Sequence, residues 1–386
     1  MHKQKLLIFI YSTIFLFFIT ISTQIIVDPY GIFKITHIDG INDKTYLNKS
    51  KGRIENSLHL KIYDYETIIM GTSRAQVGID ISNINFENTN VYNASLSGTY
   101  FQELSKVLSS ILDQQKELQH LIYGIDFYTF VYTNGEYERF DESLFNSKNY
   151  VLPTLIKKLL SWGSVTDMIK SIYLNRTHSK QRYWTSGQIH TEMIKRNHKK
   201  LFNKTVDSYI QTYSFYKESP YILKMFEKTM KAYAKKGVDI SLFISPIHAH
   251  QLVLIESSGL LDDYYTWMKN ITSIIHKINN EYHSNIKLFN FSGFNSITTE
   301  IIPSNAQTQM KYYNESSHYK MITGDLILDK IYNNSGVIDF GIVLTPENVD
   351  KHLLLIEKDR KKYYNDFPNE IDEIKKQYIK YKESRK

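Results

Sequence analysis

Between Leu6 and Val27 the chain reads LLIFIYSTIFLFFITISTQIIV, about 22 residues without a charged side chain. No other stretch restricts the fold so severely. As a helix rising about 1.5 Å per residue, it matches a bilayer hydrocarbon core roughly 30 Å thick. Lys3 and Lys5 precede it and Asp28 comes directly after it. The positive-inside rule therefore leaves residues 1–5 in the cytoplasm and carries the remainder across the membrane. A cleaved secretory signal is the competing reading, but the run is long for one and no small-x-small cleavage site succeeds it. The expectation is an uncleaved single-pass anchor over residues 6–27, with no second segment long and apolar enough to span.

Beyond the anchor the chain has the composition of a folded protein. Of 386 residues 42% are hydrophobic, which excludes global disorder. The chain has no cysteine, so a disulfide framework, a thiolate metal site and a cysteine nucleophile are excluded. The net charge of +7 is spread along the sequence, and the Lys/Arg-rich C-terminal region is interleaved with Glu and Asp. That pattern suits a solvated helix face and gives no case for nucleic acid. The 30 tyrosines offer stacking surfaces for sugars, but a chain also rich in Ile, Asn and Lys shows a general compositional bias.

Past the anchor, DPYGIF reads as a juxtamembrane turn, and residues 28–60 as a polar tether. Strand and helix patterns then alternate from residue 61 to 344. Short apolar strands are predicted at YETIIMG, at Asn88 to Ser95, at Leu118 to Asp126, at VDISLFISP and at IKLFNFSG. A helix with Phe101, Leu104, Val107, Leu108, Ile111 and Leu112 on one face comes after the second strand. A further helix stops at Gly237, another runs through Leu260 to Ile278, and the last runs from about Tyr319 to Tyr332. Such alternation predicts an α/β fold with a parallel sheet, helices on both faces and a site at the carboxyl ends of the strands. Residues from about 131 to 215 break the rhythm and read as a mostly helical insertion beside the site. The tail, residues 345–386, is predicted to be helical, with Thr345 as N-cap and Pro346 at the first helical position.

Candidate chemistry gathers at the predicted strand ends. MGTSRA places Ser73 and Arg74 directly after the first strand. NASLSG, Asn93 to Gly98, comes after the second, and Asp126 ends the third. NESSHY supplies Glu315 and His318 just before the last helix. A serine nucleophile needs a base within hydrogen-bond reach, and the base needs an acid to orient it. An acid three positions before a histidine offers both from one loop. Backbone donors aimed at a developing oxyanion complete such a site, and a glycine permits close approach. Alone, each of these is commonplace: a turn serine, a surface acid–histidine pair, a helix-start loop. Their joint placement is what carries weight. His248 and His250 in SPIHAHQ come after the fourth strand; in an extended segment they would share a face. They read as residues lining a substrate cleft or as a plain loop, and no third ligand accompanies them as a metal pair.

Together these blocks resemble the SGNH (GDSL-type) hydrolase superfamily. GTSRA is similar to its first block, VYNASLSGTY to its second, YGIDF to its third, and NESSHY to its fifth. With the anchor, the chain resembles the membrane-anchored SGNH-like proteins of alginate and other surface-polysaccharide acetylation. The resemblance runs from about residue 65 to 335, the insertion excepted. It implies a three-layer, flavodoxin-like α/β domain. It also implies Ser73 as nucleophile, His318 as base and Glu315 as its orienting acid. The Ser73 and Gly98 N–H groups would hold the oxyanion, with Asn93, Arg74, Asp126, His248 and His250 around the substrate. Glu315 stands where the family has Asp, Thr72 where the first block has Asp, and Asp126 where the family has an oxyanion-hole Asn. An ionised carboxylate donates no hydrogen bond and repels an oxyanion. Asp126 is then protonated, turned away to Arg74 or a substrate hydroxyl, or a sign of altered chemistry.

The function expected is an extracytoplasmic serine O-acyltransferase or acyl esterase acting on a cell-surface polysaccharide, without cofactor or metal. It would be held at the bacterial cytoplasmic membrane, with its C-terminal domain in the periplasm. The resemblance further implies a membrane-bound O-acyltransferase partner. The alternative is a non-catalytic glycan-binding or assembly subunit with a degenerate site, for which Asp126 speaks. A plain lipase or peptidase fits less well, because no apolar lid is evident.

Overall fold

The computed structural model describes residues 2–46, 52–132, 143–146, 150–177, 183–191, 195–217 and 219–384. The chain divides into two compact units. One comprises Met1–Tyr63 and Glu142–Ile194, the other Asp64–Asp141 and Lys195–Lys386. Elements are numbered along the chain.

The first unit holds the apolar helix α1 (His2–Val27), α2 (Arg53–Ile62), α5 (Ser143–Asn146), α6 (Val151–Leu159) and α7 (Trp162–Arg176). It also holds a small antiparallel sheet of β1 (Thr45–Tyr46), β5 (Tyr183–Thr185) and β6 (Gln188–His190). Helix α1 is long and apolar enough to cross a membrane. The DPYGIF turn after it is built on Asp28, whose carboxylate accepts the N–H groups of Ile32, Phe33 and Lys34 at 2.8–2.9 Å. The stretch expected as a tether folds instead. Its α2 buries Leu58 and Leu60 together with Arg53, Glu55, Asn56 and His59. Glu55 is paired with Lys158 of α6 at 2.7 Å, and the Lys158 ammonium lies 3.3 Å from the centre of the Tyr30 ring. Only Ile54, Leu58, Leu60 and Ile62 of its ten residues are apolar, and the buried polar residues among them mask the helical spacing, which is why it reads as a tether. Most of the predicted insertion, residues 142–194, thus belongs to the unit that contains α1. Its start, residues 131–141, and its end, from Lys195 onward, belong to the second unit.

The second unit is α/β. Its six-stranded sheet has the order β3 (Val91–Asn93), β2 (Thr67–Met70), β4 (His120–Ile125), β7 (Asp239–Ile244), β8 (Lys287–Asn290), β9 (Ile342–Val343). The first five are parallel and β9 adds an antiparallel edge. Around the sheet run α3 (Ser73–Gly78), α4 (Phe101–Gln114), α8 (His198–Ser214), α9 (Pro220–Lys236) and α10 (Ala249–Ser257). Next in the chain are α11 (Leu261–Tyr282), α12 (Met321–Asn333), α13 (Val349–Asp366) and α14 (Pro368–Glu383). Side chains alternate across a strand, and Ile69, Ile122, Phe243 and Phe289 enter one cluster with Tyr319, Ile327 and Leu328. Helices α4, α9 and α11 pack side by side, and Gly237 ends α9 in the left-handed region at φ 75°.

The tail departs from expectation at its start. Thr345 and Pro346 lie in a turn after the edge strand, and α13 begins at Val349 after Asn348. The Asn348 side chain holds that turn, accepting from Thr345 N–H at 2.9 Å and donating to Val343 O at 2.8 Å. The tail keeps most of its charged side chains in solvent and packs through one apolar face. Helix α13 buries Leu353, Ile356 and Tyr363, and α14 buries Ile371, Ile374 and Tyr378. Arg360 of α13 pairs with Glu256 of α10 at 2.5 Å.

Two elements that frame the strand ends touch through glycines. A Cβ on Gly324 of α12 would fall on the Gly78 carbonyl at the end of α3, and one on Gly78 would fall on the Tyr319 ring. Glycine permits this approach; alanine forces the helices apart. Gly324→Ala is expected to lower the unfolding free energy by about 2 kcal/mol or more. Gly163→Ala, where the nearest atom to a new Cβ is 3.7 Å away, should change it by less than about 0.5 kcal/mol. Denaturant unfolding of the two variants in detergent measures the contrast.

Candidate active site

Strand β2 ends at Met70, and the chain turns through Gly71 and Thr72 straight into α3, with Ser73 its first residue. Thr72 is the N-cap: its hydroxyl accepts from Arg74 N–H at 3.3 Å. Ser73 is therefore presented at the carboxyl end of a strand, and its N–H, in the first turn, has no intrahelical acceptor. The loop after β3 runs alongside. Leu96 N–H bonds Gly71 O at 3.0 Å, Thr72 and Leu96 form a parallel bridge, and Ser97 donates to Gln76 of α3 at 2.6 Å. Gly98 lies in this loop in the left-handed region, at φ 62°.

Glu315 and His318 come from a tight loop closed by the antiparallel bridge between Tyr313 and Tyr319 and by Asn314 N–H to His318 O at 2.9 Å. The loop is held from several sides. His248 N–H bonds Ser316 O at 3.0 Å, the Ser316 hydroxyl donates to Gln251 at 3.0 Å, and a ring nitrogen of His198 bonds Asn314 O at 3.0 Å. This framework brings His318 Nε2 to 2.7 Å from Ser73 Oγ, across 245 positions of sequence. On the other side of the ring, His318 Nδ1 bonds Glu315 Oε1, while Glu315 Oε2 accepts Ser317 N–H at 2.7 Å. Burial would raise the Glu315 carboxyl, but the charge and hydrogen bond of His318 and the Ser317 N–H outweigh it and hold its pKa at about 2. Glu315 is thus a carboxylate and only accepts. It fixes the His318 proton on Nδ1 and leaves the Nε2 lone pair to Ser73, the arrangement of a serine nucleophile with its base.

Asp126 occupies none of this space. Its Oδ1 is 2.5 Å from Arg74 Nη1, its Oδ2 accepts the Thr72 hydroxyl at 2.6 Å, and it is buried. Of the states open to it on sequence grounds, it has turned to Arg74. The guanidinium is buried as well. Its Nε donates to Ser317 Oγ at 3.1 Å and its Nη2 to Tyr209 OH at 3.3 Å, and it lies 5.1 Å from the centre of the Tyr128 ring. Tyr209 and Ser317 are also hydrogen-bonded to each other, at 2.6 Å. Asp126 is therefore connected through Arg74 and Ser317 to the loop that carries Glu315 and His318.

Three expected substrate residues take other roles. Asn93 is fully buried and holds the loop, donating to Ala75 O at 3.1 Å and accepting Ser95 N–H at 3.2 Å. His248 and His250 do not line a cleft. The chain beyond Pro246 enters α10 directly, and the two rings, 6.5 Å apart between centres, are turned into the protein. His248 donates from Nε2 to Glu300 O at 2.7 Å and accepts His250 N–H at Nδ1 at 3.1 Å, as the N-cap of α10. Both rings are buried edge-on against Phe202. Burial lowers the His248 pKa to about 4 and, with His248 as neighbour, that of His250 to about 3, so both are neutral. Among the described residues neither belongs to a group of three metal-capable side chains. The group that exists, exposed His37, Asp39 and Asp43, belongs to the unit with α1, where His37 bonds both acids at 3.0 and 3.3 Å.

Ser317 is an unassigned position within NESSHY and Tyr209 lies outside every motif, so neither was legible as a site residue. Tyr209 recurs with Val206, Ile210 and Tyr213 at the spacing of a buried helix face, which marks packing, not chemistry. Comparison with protein-family models, with curated proteins and with solved structures gives no match to this chain.

The substitution Asp126→Asn separates two accounts of that position. An oxyanion donor would gain function from the amide. A partner of Arg74 loses it, because a buried guanidinium loses its counter-charge, at a loss of about 3 kcal/mol of stability. The expected result is a lower thermal midpoint and slower modification of Ser73 by an organophosphorus reagent, with no gain.

Proposed function

We propose that the chain is an extracytoplasmic serine O-acyltransferase or acyl esterase acting on a cell-surface glycan, anchored by α1, with an SGNH-like three-layer domain. The observation that carries this reading is the unbroken hydrogen-bond series Ser73–His318–Glu315, with a buried carboxylate at one end and a partly exposed hydroxyl at the other. In the reaction, Ser73 Oγ gives its proton to His318 Nε2 and attacks the acyl carbonyl. The oxyanion that forms is met by the Ser73 N–H and, on the family pattern, the Gly98 N–H. His318 returns the proton to the leaving oxygen, and an acyl ester on Ser73 remains. A sugar hydroxyl or water then gives its proton to His318, attacks the ester and releases the serine. Glu315 holds the imidazole in the tautomer both halves need and offsets its charge once protonated.

The positions of Lys3, Lys5 and Asp28 around the apolar run support an N-terminus in the cytoplasm and a catalytic unit in the periplasm. A donor presented across the membrane calls for a membrane-bound acyltransferase partner. One observation favours the second reading, a glycan-binding or assembly subunit. Asp126 is engaged by Arg74 and Thr72 and offers no third oxyanion donor.

A fluorophosphonate probe applied to the full chain in detergent distinguishes the readings. The enzyme labels on Ser73, Ser73→Ala and His318→Ala abolish labelling, and Glu315→Gln slows it by on the order of 10³–10⁴-fold. Folded protein that does not label, or labelling that survives Ser73→Ala, transfers the assignment to the binding subunit.

A further inference from the structure

Helix α6 is apolar on two sides. Val151 and Leu155 pack into the small core of Tyr30, Ile32 and Leu58. Leu152, Ile156 and Leu160 form a stripe at i, i+4 and i+8 that faces away from that core, and Leu152 and Leu160 are 67% and 54% exposed. Trp162, at the start of α7, continues the stripe and is 79% exposed. A soluble surface gains nothing from such a stripe, and a tryptophan at its end is what a membrane interface attracts.

The level of this stripe is fixed by hydrogen bonds to α1. Gln24, one turn before the end of α1, donates to Leu159 O at 3.1 Å. Just beyond the helix, Tyr30 OH accepts the Ser164 hydroxyl at 3.0 Å and donates to Asp167 at 3.2 Å. The α6–α7 turn is thereby held at the height of the last turn of a membrane-length helix. Residues of α1 before Thr20 are exposed, and burial begins only where α7 packs against it. Helix α6 contains two lysines and no acid, and Lys157 is exposed beside the stripe. That charge suits anionic headgroups.

We propose that the α6–α7 hairpin lies on the lipid surface beside α1, with Leu152, Ile156, Leu160 and Trp162 entering the headgroup and upper acyl region of the leaflet. This rests on the reading of α1 as a membrane span. The unit would then be gripped twice, by a span and by an interfacial helix, and could not swivel freely about α1.

The chain has no cysteine, so a single spin label can be placed at will. Leu16→Cys on α1, Leu160→Cys on the stripe and Leu354→Cys on α13 all replace exposed side chains. The full chain is reconstituted in vesicles of phosphatidylethanolamine and phosphatidylglycerol. Collision of each nitroxide with oxygen is compared with its collision with a water-soluble nickel chelate. The expected order of the oxygen-to-nickel ratio is Leu16, Leu160, Leu354, with Leu160 several-fold above Leu354. If Leu16 is in lipid but Leu160 matches Leu354, the hairpin is in water and the proposal is overturned while the span stands. If all three match, the span itself fails and the proposal with it. A Leu160 label shielded from both reagents means that another polypeptide covers the stripe, which also overturns it.

Discussion

The ion pair between Arg74 and Asp126 is the contact around which the site is arranged. Two opposite charges, both taken out of water, persist only when their remaining hydrogen-bonding groups are also satisfied. Here the carboxylate takes a guanidinium and a hydroxyl, and the guanidinium reaches Ser317 and Tyr209 as well. The five residues come from the β2–α3 turn (Thr72), α3 (Arg74), the end of β4 (Asp126), the 313–319 loop (Ser317) and α8 (Tyr209). Removing either charge would leave the other buried and unpaired. The network is thus a condition for the strand ends and the histidine loop to be assembled together, and Ser73, next to Arg74, is placed by the same turn.

This explains how a carboxylate can stand where a hydrogen-bond donor is expected. Asp126 bonds Arg74 and Thr72 with its two oxygens, and the guanidinium offsets its charge. On the proposed reading the oxyanion is left to backbone N–H groups, which carry no side chain to be exchanged. The same loop geometry disposes of the two conspicuous histidines. His248 is a helix cap and a clamp on Ser316, and His250 is packed against Phe202. Both are neutral parts of the scaffold.

Much of the sheet was legible because its strands are short apolar runs bounded by Gly, Pro, Asn and Asp, and the five parallel strands lie within the segments the sequence marks. Edge strand β9 was not, since two residues carry no period. Helix α10 was hidden because AHQLVLIES is buried nearly all round and has no polar face to set a phase. Helix α2 was hidden for the opposite reason: its buried face is charged, and Glu55 is neutralised by Lys158 from a segment a hundred positions away. In the site, Ser73, Glu315 and His318 were legible from their local blocks. The turn of Asp126 toward Arg74 was among the states open on sequence grounds, but the further partners of Arg74 were not legible, because Ser317 and Tyr209 are ordinary residues whose roles arise only from what the fold brings beside them.

The most direct test of this account is a high-resolution structure of the protein carrying a phosphonate on Ser73, whose phosphoryl oxygen stands in for the oxyanion. The account predicts that this oxygen lies about 3 Å from the N–H groups of Ser73 and Gly98, with Asp126 still on Arg74 and Thr72. A phosphoryl oxygen bonded instead by the Asp126 side chain, or by an Arg74 that has left Asp126 to reach it, would contradict it.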